Sequence, residues 1–199
     1  MKKVLVLAAA LALFATPALA VIENTGHDLG DNGLGTTRMC IFCHAPHYGA
    51  SDAPLWNRDP VADTVIVGTP YTSGTMDATV VDYTAGSILL CFSCHDGAAT
   101  PGELINNSWA GVTGTLTLGS GNLNEAGIGL SNDHPVGITY QDSIDNGDTE
   151  LQPAASVTTL IPNGIVECAS CHDVHDNSFP PFLTQTNADS ALCTACHIK

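Results

Sequence analysis

Apolar residues occur along this chain in short runs interrupted by polar and turn-forming residues, and only one run is long. That run covers residues 4–15, follows two lysines and ends before an Ala-Leu-Ala sequence. A basic start, an apolar stretch and an A-x-A sequence are typical of a secretory signal peptide. We therefore predict that residues 1–20 are a cleaved signal and that the mature chain begins at Val21. No later apolar run reaches the length of a membrane span, so none is expected.

Two later segments favour β-structure because they are rich in Thr, Val and Gly. One covers residues 63–82, with possible short strands at 64–67 and 79–81, and the other covers residues 109–118. Elsewhere Gly, Asn, Asp and Ser break the apolar pattern at short intervals. Short helical turns are predicted around four cysteine-containing segments, as in residues 189–197. The sequence therefore predicts a small, mostly irregular, coil-rich fold with short helices and a few short strands.

All eight cysteines lie in four copies of one pattern, Cys-x-x-Cys-His. This pattern is the attachment motif of c-type haem. Its two thiols can form thioethers to the two vinyl groups of one haem, and the adjacent histidine then lies under the iron as the proximal ligand. We number the copies motif 1 (residues 40–44), motif 2 (91–95), motif 3 (168–172) and motif 4 (193–197). The chain is thus predicted to hold four haem c groups. The predicted attachment residues are Cys40, Cys43, Cys91, Cys94, Cys168, Cys171, Cys193 and Cys196, and the predicted proximal ligands are His44, His95, His172 and His197.

Other uses of paired cysteines fit this pattern less well. Zinc sites and dithiol redox sites also contain Cys-x-x-Cys, but neither requires a histidine directly after the second cysteine. An extracellular disulfide framework would accept eight cysteines, but it does not predict four identical spacings. Because only 8 of the 199 residues are histidine, four such placements by coincidence would be rare. Haem attachment is therefore the favoured interpretation.

Four histidines remain outside the motifs, one for each predicted haem. Histidine is a common axial ligand of haem iron, and only two methionines, Met39 and Met76, lie beyond the signal as alternatives. The count therefore predicts bis-histidine ligation at all four irons. A six-coordinate iron has no open position for a substrate, so no catalytic residue is expected. The predicted distal ligands are His27, His47, His134 and His175.

The order of these residues repeats once along the chain. In each half a distal histidine precedes a motif, that motif continues as Cys-His-x-x-His, and a second motif follows. We therefore predict one domain over residues 21–199, built from two-haem units at 21–105 and 133–199 and a connection at 106–132. Since this is little protein for four cofactors, the haems are expected to form most of the core.

The two Cys-His-x-x-His extensions also predict how the haems are shared. His47 and His175 each lie three residues after a proximal histidine. Residues at this spacing on a helical turn are neighbours that point to the same side. Neither can then reach the opposite face of its own haem, so each is expected to ligate a different haem, in the same chain or in another.

The chain is strongly acidic, with 20 acidic against 5 basic residues and a net charge of −15. This charge argues against binding to nucleic acid or to an anionic membrane. It suggests that a soluble redox partner would dock through a basic patch, and that self-association would depend on apolar and backbone contacts or on bridging cations. An acidic run at residues 142–150 could hold a hard cation but lacks the EF-hand spacing, so a polar turn is favoured there.

The signal peptide, the four motifs and the two Cys-His-x-x-His extensions together resemble the extracellular multihaem cytochromes of metal-reducing bacteria. They are most similar to the filament-forming tetrahaem cytochromes of Geobacter-type bacteria. The more specific markers are Cys-His-Ala-Pro-His at residues 43–47, Asn-Asp-His-Pro-Val-Gly at residues 132–137, and a chain end just after motif 4.

The resemblance implies a head-to-tail homopolymer, or nanowire, with a continuous line of haems. In such a filament one histidine of each subunit ligates a haem of its neighbour. His47 is the first candidate for this ligand and His27 the second, and the haem of motif 4 is the expected receiver.

The expected function is electron transfer between bis-histidine haems of a secreted, extracellular or cell-surface protein. Its other partners would be redox donor and acceptor proteins or extracellular metal oxides. Three alternatives stay open: a soluble periplasmic electron shuttle, a multihaem reductase acting on nitrogen oxyanions, and a structural component whose haems staple a small fold.

Overall fold

The computed structural model describes residues 21–31, 34–50, 55–58, 70–78, 80, 86–96, 104–106, 111–112, 123 and 129–198. The predicted signal peptide and the possible strand at residues 64–67 lie outside these ranges. So do most of the predicted connection at 106–132 and most of the segment 109–118.

Regular structure in the described residues consists of short helices and one small sheet. Strands β1 (Ile138–Thr139) and β2 (Ile165–Val166) pair antiparallel, with Ile138 opposite Val166. Val80, from the segment predicted to form strands, makes a single antiparallel bridge with Ile138. The α-helices are α1 (Gly86–His95), α2 (Tyr140–Asp145), α3 (Cys168–Cys171) and α4 (Ala191–Thr194), and the 3-10 helices are Leu29–Asp31, Met39–Phe42, Ala154–Ser156 and Ala188–Ser190. In the part of the chain that is described, no helix is long and apolar enough to cross a membrane.

Each motif overlaps one of these helices. Motif 1 begins in the 3-10 helix Met39–Phe42, motif 2 forms the second half of α1, motif 3 contains α3, and motif 4 begins in α4. Residues three positions apart on a helical turn lie on the same side. The local structure therefore turns the two cysteines of a motif toward one side, as two thioether bonds to one haem require.

Apolar packing is divided among three small clusters, and each lies at a motif. At motif 1, the buried Ile41 and Phe42 pack with Leu29, Leu34 and Val112. At motif 2, Ile88, Phe92 and Leu130 pack together, with Cys168 of motif 3 against them. Cys196 of motif 4 packs against the third cluster, which contains Ala78, Ile138, Tyr140, Val157, Ile161 and Val166. The cluster at motif 2 thus packs motifs 2 and 3 together, while the other two clusters pack around motifs 1 and 4.

Candidate functional site

Six of the eight histidines form three pairs of neighbouring rings. Each pair joins the histidine of one motif to a histidine that lies outside every motif. The ring centroids of His27 and His95 are 6.0 Å apart, those of His44 and His175 are 6.1 Å apart, and those of His134 and His197 are 6.2 Å apart.

These separations fit an iron held between two imidazoles. A ring nitrogen lies about 1 Å from its ring centre and a metal–imidazole bond is about 2 Å long, so two imidazoles on opposite sides of one metal place their centroids about 6 Å apart. The described residues contain no group of three or more His, Cys, Asp or Glu side chains placed to hold a metal ion. Two imidazoles are sufficient for haem iron, because the porphyrin supplies its other four ligands.

His27 shows the chemical state that such ligation needs. Burial lowers the pKa of its imidazole, and the nearby His95 and His172 lower it further. Its ring also packs against Phe182, with centroids 4.8 Å apart. The imidazole is therefore neutral at neutral pH, which is the form that binds a metal.

Backbone and carboxylate groups orient several of the other rings. Nδ1–H of His134 donates to the Pro135 carbonyl at 2.9 Å. Nδ1 of His175 lies 3.6 Å from the Asp173 carboxylate. Contacts of this kind at Nδ1 fix the ring and leave Nε2 for the metal.

His47 and His172 lie outside the three pairs, since neither ring contacts another histidine among the described residues. His172 is oriented as a ligand all the same, because its Nδ1–H donates to the Pro181 carbonyl at 3.0 Å. His47 is exposed on a different loop. The expectation that motif 4 receives a ligand from a neighbouring subunit stays a prediction, and within the chain the His197 ring lies 6.2 Å from the His134 ring. Among the described residues the His172 ring of motif 3 contacts no other histidine ring, although His172 lies close enough to His27 to lower its pKa.

The cysteines of successive motifs lie beside one another, and none forms a disulfide. The Cys91 thiol donates a hydrogen bond to the Cys168 sulfur, which raises the pKa of Cys91 well above its usual value and lowers the pKa of Cys168. Burial raises the pKa of Cys43 to about 12, and the neighbouring Cys94 adds to this rise. Motif 2 therefore lies next to motifs 1 and 3.

Motif 4 lies next to motif 3 in the same way. Burial raises the pKa of Cys171, and Cys196 and Cys193 raise it further. A pocket of about 340 Å³ opens at motif 4, lined by Ser190, Cys193, Thr194 and His197. The four motifs thus follow one another in space in their chain order.

Glu167 joins motifs 2 and 3, and sequence reasoning missed it. Its Oε2 accepts hydrogen bonds from the backbone N–H of Ser87 at 3.1 Å and from the Ser87 hydroxyl at 3.0 Å. The Ser87 hydroxyl oxygen in turn accepts the backbone N–H of Ala169 at 3.1 Å. The first turn of α1 and the first turn of α3 therefore satisfy each other's hydrogen-bonding groups.

A short backbone ladder holds motif 4. The N–H of Gln152 donates to the Cys196 carbonyl at 2.8 Å, and the N–H of Ile198 donates to the Glu150 carbonyl at 2.7 Å. The Tyr140 hydroxyl donates to the carbonyls of Gln152 and Cys196 at 2.9 and 3.0 Å. Nothing in the local sequence around Tyr140 indicates this contact, because its partners are distant in the chain.

The acidic run at residues 142–150 forms the end of α2 and the turn after it. Asp145 Oδ1 accepts the side-chain amide of Gln141 at 2.8 Å, and Asp148 Oδ1 accepts the backbone N–H of Glu150 at 2.8 Å. These are the hydrogen bonds of a helix and a polar turn.

Comparison with known proteins adds one match. A family model described as the doubled CXXCH motif matches residues 162–199, which contain motifs 3 and 4. No curated protein matches the chain. A doubled CXXCH motif is an attachment pattern of haem c, so this match indicates a multihaem c-type cytochrome-like protein and suggests electron transfer.

Proposed function

We propose that this protein is a secreted tetrahaem cytochrome whose copies join head to tail into an electron-conducting filament. The observation that carries the proposal is the division of the eight histidines. Three pairs of rings lie about 6 Å apart within one chain, whereas the His47 and His172 rings contact no other histidine ring among the described residues. We assign His47 of one subunit as the second axial ligand of the haem at motif 3 in the next subunit.

The order of the motifs supports a line of four haems within each subunit. Neighbouring sulfurs connect motif 1 to motif 2, motif 2 to motif 3, and motif 3 to motif 4. Bound haem supplies the redox-active iron. The paired imidazoles would hold each iron in both of its oxidation states, which would limit the reorganisation that accompanies electron transfer. The protein thus serves as a conductor and not as an enzyme.

Both surfaces at the predicted junction are partly apolar. Beside His47, Tyr48 is 89% exposed, and Leu55 and Ile105 are also exposed. The Asn106 side chain holds this loop by donating to the carbonyls of His47 and Tyr48 at 3.3 and 3.1 Å.

The surface around His172 also presents apolar side chains. Beside His172, Val174 and Phe179 are exposed. A contact between two different surfaces of the same chain generates an open polymer unless its rotation closes a ring. Apolar contacts and one coordinate bond at the junction would offset the mutual repulsion of chains with a net charge of −15.

The first experiment is electron microscopy of the secreted, haem-loaded protein. We expect thin regular filaments in which an imidazole crosses from one subunit to the haem at motif 3 of the next. Particles of monomer size alone would instead favour a soluble periplasmic shuttle. Cell fractionation tests the export that the predicted signal peptide and the acidic surface support.

Two matched variants test the ligand assignment. His47→Ala is expected to keep four attached haems, to lose the filaments and to show one high-spin haem. His175→Ala removes a ligand that lies within the chain, so it is expected to give one high-spin haem but to retain filaments. Intact filaments with only low-spin haem in His47→Ala would contradict the assignment.

A second candidate function follows from the same observation. In an isolated subunit the haem at motif 3 would have His172 on one face and an open position on the other, as a multihaem reductase requires. Nitrite and cyanide binding distinguish the two functions. A filament conductor binds them only when dissociated, whereas a reductase turns over nitrite in its native assembly.

A further inference from the structure

The segment 55–58 is held tightly against motif 1. The N–H of Asn57 donates to the Cys43 carbonyl at 2.9 Å, and its side-chain amide donates to the Ile41 carbonyl at 2.6 Å. Its own carbonyl accepts the N–H of Ile105 at 2.9 Å, and Oδ1 accepts the N–H of Asn106 at 3.1 Å. Every hydrogen-bonding group of the buried Asn57 is therefore used, which fixes the two residues on either side of it.

Trp56 precedes Asn57 in the chain and contacts His44, the predicted proximal ligand of motif 1. Its ring lies edge to face with the His44 ring, with centroids 6.0 Å apart. The indole Nε1–H is buried and has no hydrogen-bond partner among the described residues. A buried N–H without an acceptor is costly, so its position indicates an acceptor that belongs to the bound state.

Arg58 follows Asn57 in the chain and places a positive charge beside motif 1. It is completely buried, at 0% exposure, in a chain with only five basic residues. The hydrogen bond from the Asn57 N–H to the Cys43 carbonyl places the adjacent Arg58 beside motif 1. A guanidinium carries five N–H donors, so Arg58 can bind a carboxylate in addition to the group that it already contacts.

We propose that Trp56 and Arg58 hold a propionate carboxylate of the haem attached at Cys40 and Cys43. A propionate is an anion with two acceptor oxygens, and it stays within reach of the attachment site because the haem is covalently fixed. The indole N–H and the guanidinium are hydrogen-bond donors that such a carboxylate can accept. Arg commonly binds a carboxylate through two parallel N–H···O hydrogen bonds. This inference rests on the proposed haem attachment at motif 1.

The pairing would also set the reduction potential of this haem. Reduction adds an electron at the iron, so a buried positive charge nearby stabilises the reduced form. Arg58 is therefore expected to raise the potential of the haem at motif 1. No other motif lies against a buried arginine among the described residues.

The test uses the intact secreted protein with carbon-13 in the haem carboxyl groups. Redox-induced infrared difference spectra then report the propionates, and potentiometric titration reports the haem at motif 1. Arg58→Gln is expected to lower that potential and to shift the carboxylate band. Trp56→Phe keeps the ring but removes the N–H, so it is expected to shift the same band with a smaller change in potential.

Arg38→Gln is the matched control, because Arg38 is exposed and lies two residues before Cys40. It removes the same charge near the same motif, and solvent screens that charge. Arg58→Lys keeps the positive charge but loses the planar guanidinium group. It is therefore expected to change the reduction potential of the haem at motif 1 only slightly and still to shift the carboxylate band.

The outcomes separate this inference from the proposed function. If Arg58→Gln and Trp56→Phe leave both the potential and the carboxylate band as they are in Arg38→Gln, the propionate site is wrong. If the Arg58→Gln protein does not accumulate, Trp56→Phe and Arg58→Lys test the propionate site instead, through the same reduction potential and carboxylate band. Mass spectrometry of the peptide around Cys40 and Cys43 comes first, because a peptide without haem would contradict the proposed tetrahaem cytochrome itself.

Discussion

At the scale of single residues, the three histidine pairs differ in how their ring planes are oriented. The planes of His44 and His175 are 19° apart and stacked, whereas the other two pairs have interplanar angles of 71° and 70°. Parallel imidazoles donate π density along one direction and separate the energies of two iron d orbitals. Nearly perpendicular imidazoles leave those orbitals close in energy.

This difference predicts two classes of low-spin signal in the electron paramagnetic resonance spectrum of the oxidised protein. The haem at motif 1 is expected to give a rhombic signal, and the haems at motifs 2 and 4 are expected to give signals with one large g value. His175→Ala should remove the rhombic signal of motif 1 and leave the large-g signals in place. A single class of signal in the wild-type protein would be incompatible with the ring geometry.

Tyr140 predicts an effect of alkaline pH on the region of motif 4. Burial raises its pKa to about 12 from an ordinary value of about 10. Because the folded state holds this proton more tightly than the unfolded state does, the stabilisation is complete below about pH 10 and is lost as the pH rises toward 12. The free energy of unfolding is therefore expected to fall across this range.

Tyr140→Phe is expected to lower the free energy of unfolding by about 1–2 kcal/mol at neutral pH, since it removes the hydroxyl that bonds two carbonyls. It should also weaken the decline above pH 10. Tyr48→Phe changes an exposed tyrosine and serves as the control, with no expected effect. Chemical denaturation at several pH values measures both variants, and equal curves for the two would contradict the role of Tyr140.

At the scale of elements, α1 and α3 are joined end to end by Glu167 and Ser87. Gly86 adopts φ +60°, and the Glu167 carboxylate occupies the position that a Cβ on Gly86 would take. A glycine is therefore required where the carboxylate reaches the first turn of α1. The contact sets the separation of motifs 2 and 3, and with it the separation of the two haems proposed there.

Glu167→Ala is expected to lower the free energy of unfolding by about 1–2 kcal/mol, because it leaves the first turn of α1 without its acceptor. Glu23→Ala, which removes an exposed carboxylate, is the control. Thermal unfolding of the haem-loaded protein measures the difference. Equal stability of the two variants would mean that the hydrogen bonds between Glu167 and Ser87 do not contribute to the free energy of unfolding.

At the scale of the whole molecule, charge opposes assembly at every junction of the proposed filament. Each chain has a net charge of −15. Raising the ionic strength from about 0.01 M to about 0.15 M shortens the Debye length from about 30 Å to about 8 Å. Repulsion between subunits then falls, while apolar contacts and a coordinate bond are little affected.

Filament mass is therefore expected to increase with salt over this range, as measured by sedimentation and by electron microscopy. His47→Ala should remain unassembled at every ionic strength, because screening cannot replace a missing ligand. Filaments that dissociate as salt is added would show that attraction between opposite charges, and not the proposed contact, holds the subunits together.

The chemistry of the motifs could be predicted from the sequence because it is local. Two cysteines three positions apart and an adjacent histidine define a haem attachment wherever the chain turns. The short helices at the motifs follow from the same segments. The distal histidines were predicted by counting, and counting does not give distances.

What the sequence by itself determined is therefore which residues are competent to bind haem. Only the tertiary structure decided which histidine faces which motif, since His44 and His175 lie in different halves of the chain and meet through long-range packing. The same packing places His134 beside His197, and this contact is the reason that the proposed receiving site is motif 3 and not motif 4. The positions of Glu167 and Arg58 also depend on the tertiary structure, because the local sequence does not specify the distant partners that bury a charge or accept a hydrogen bond.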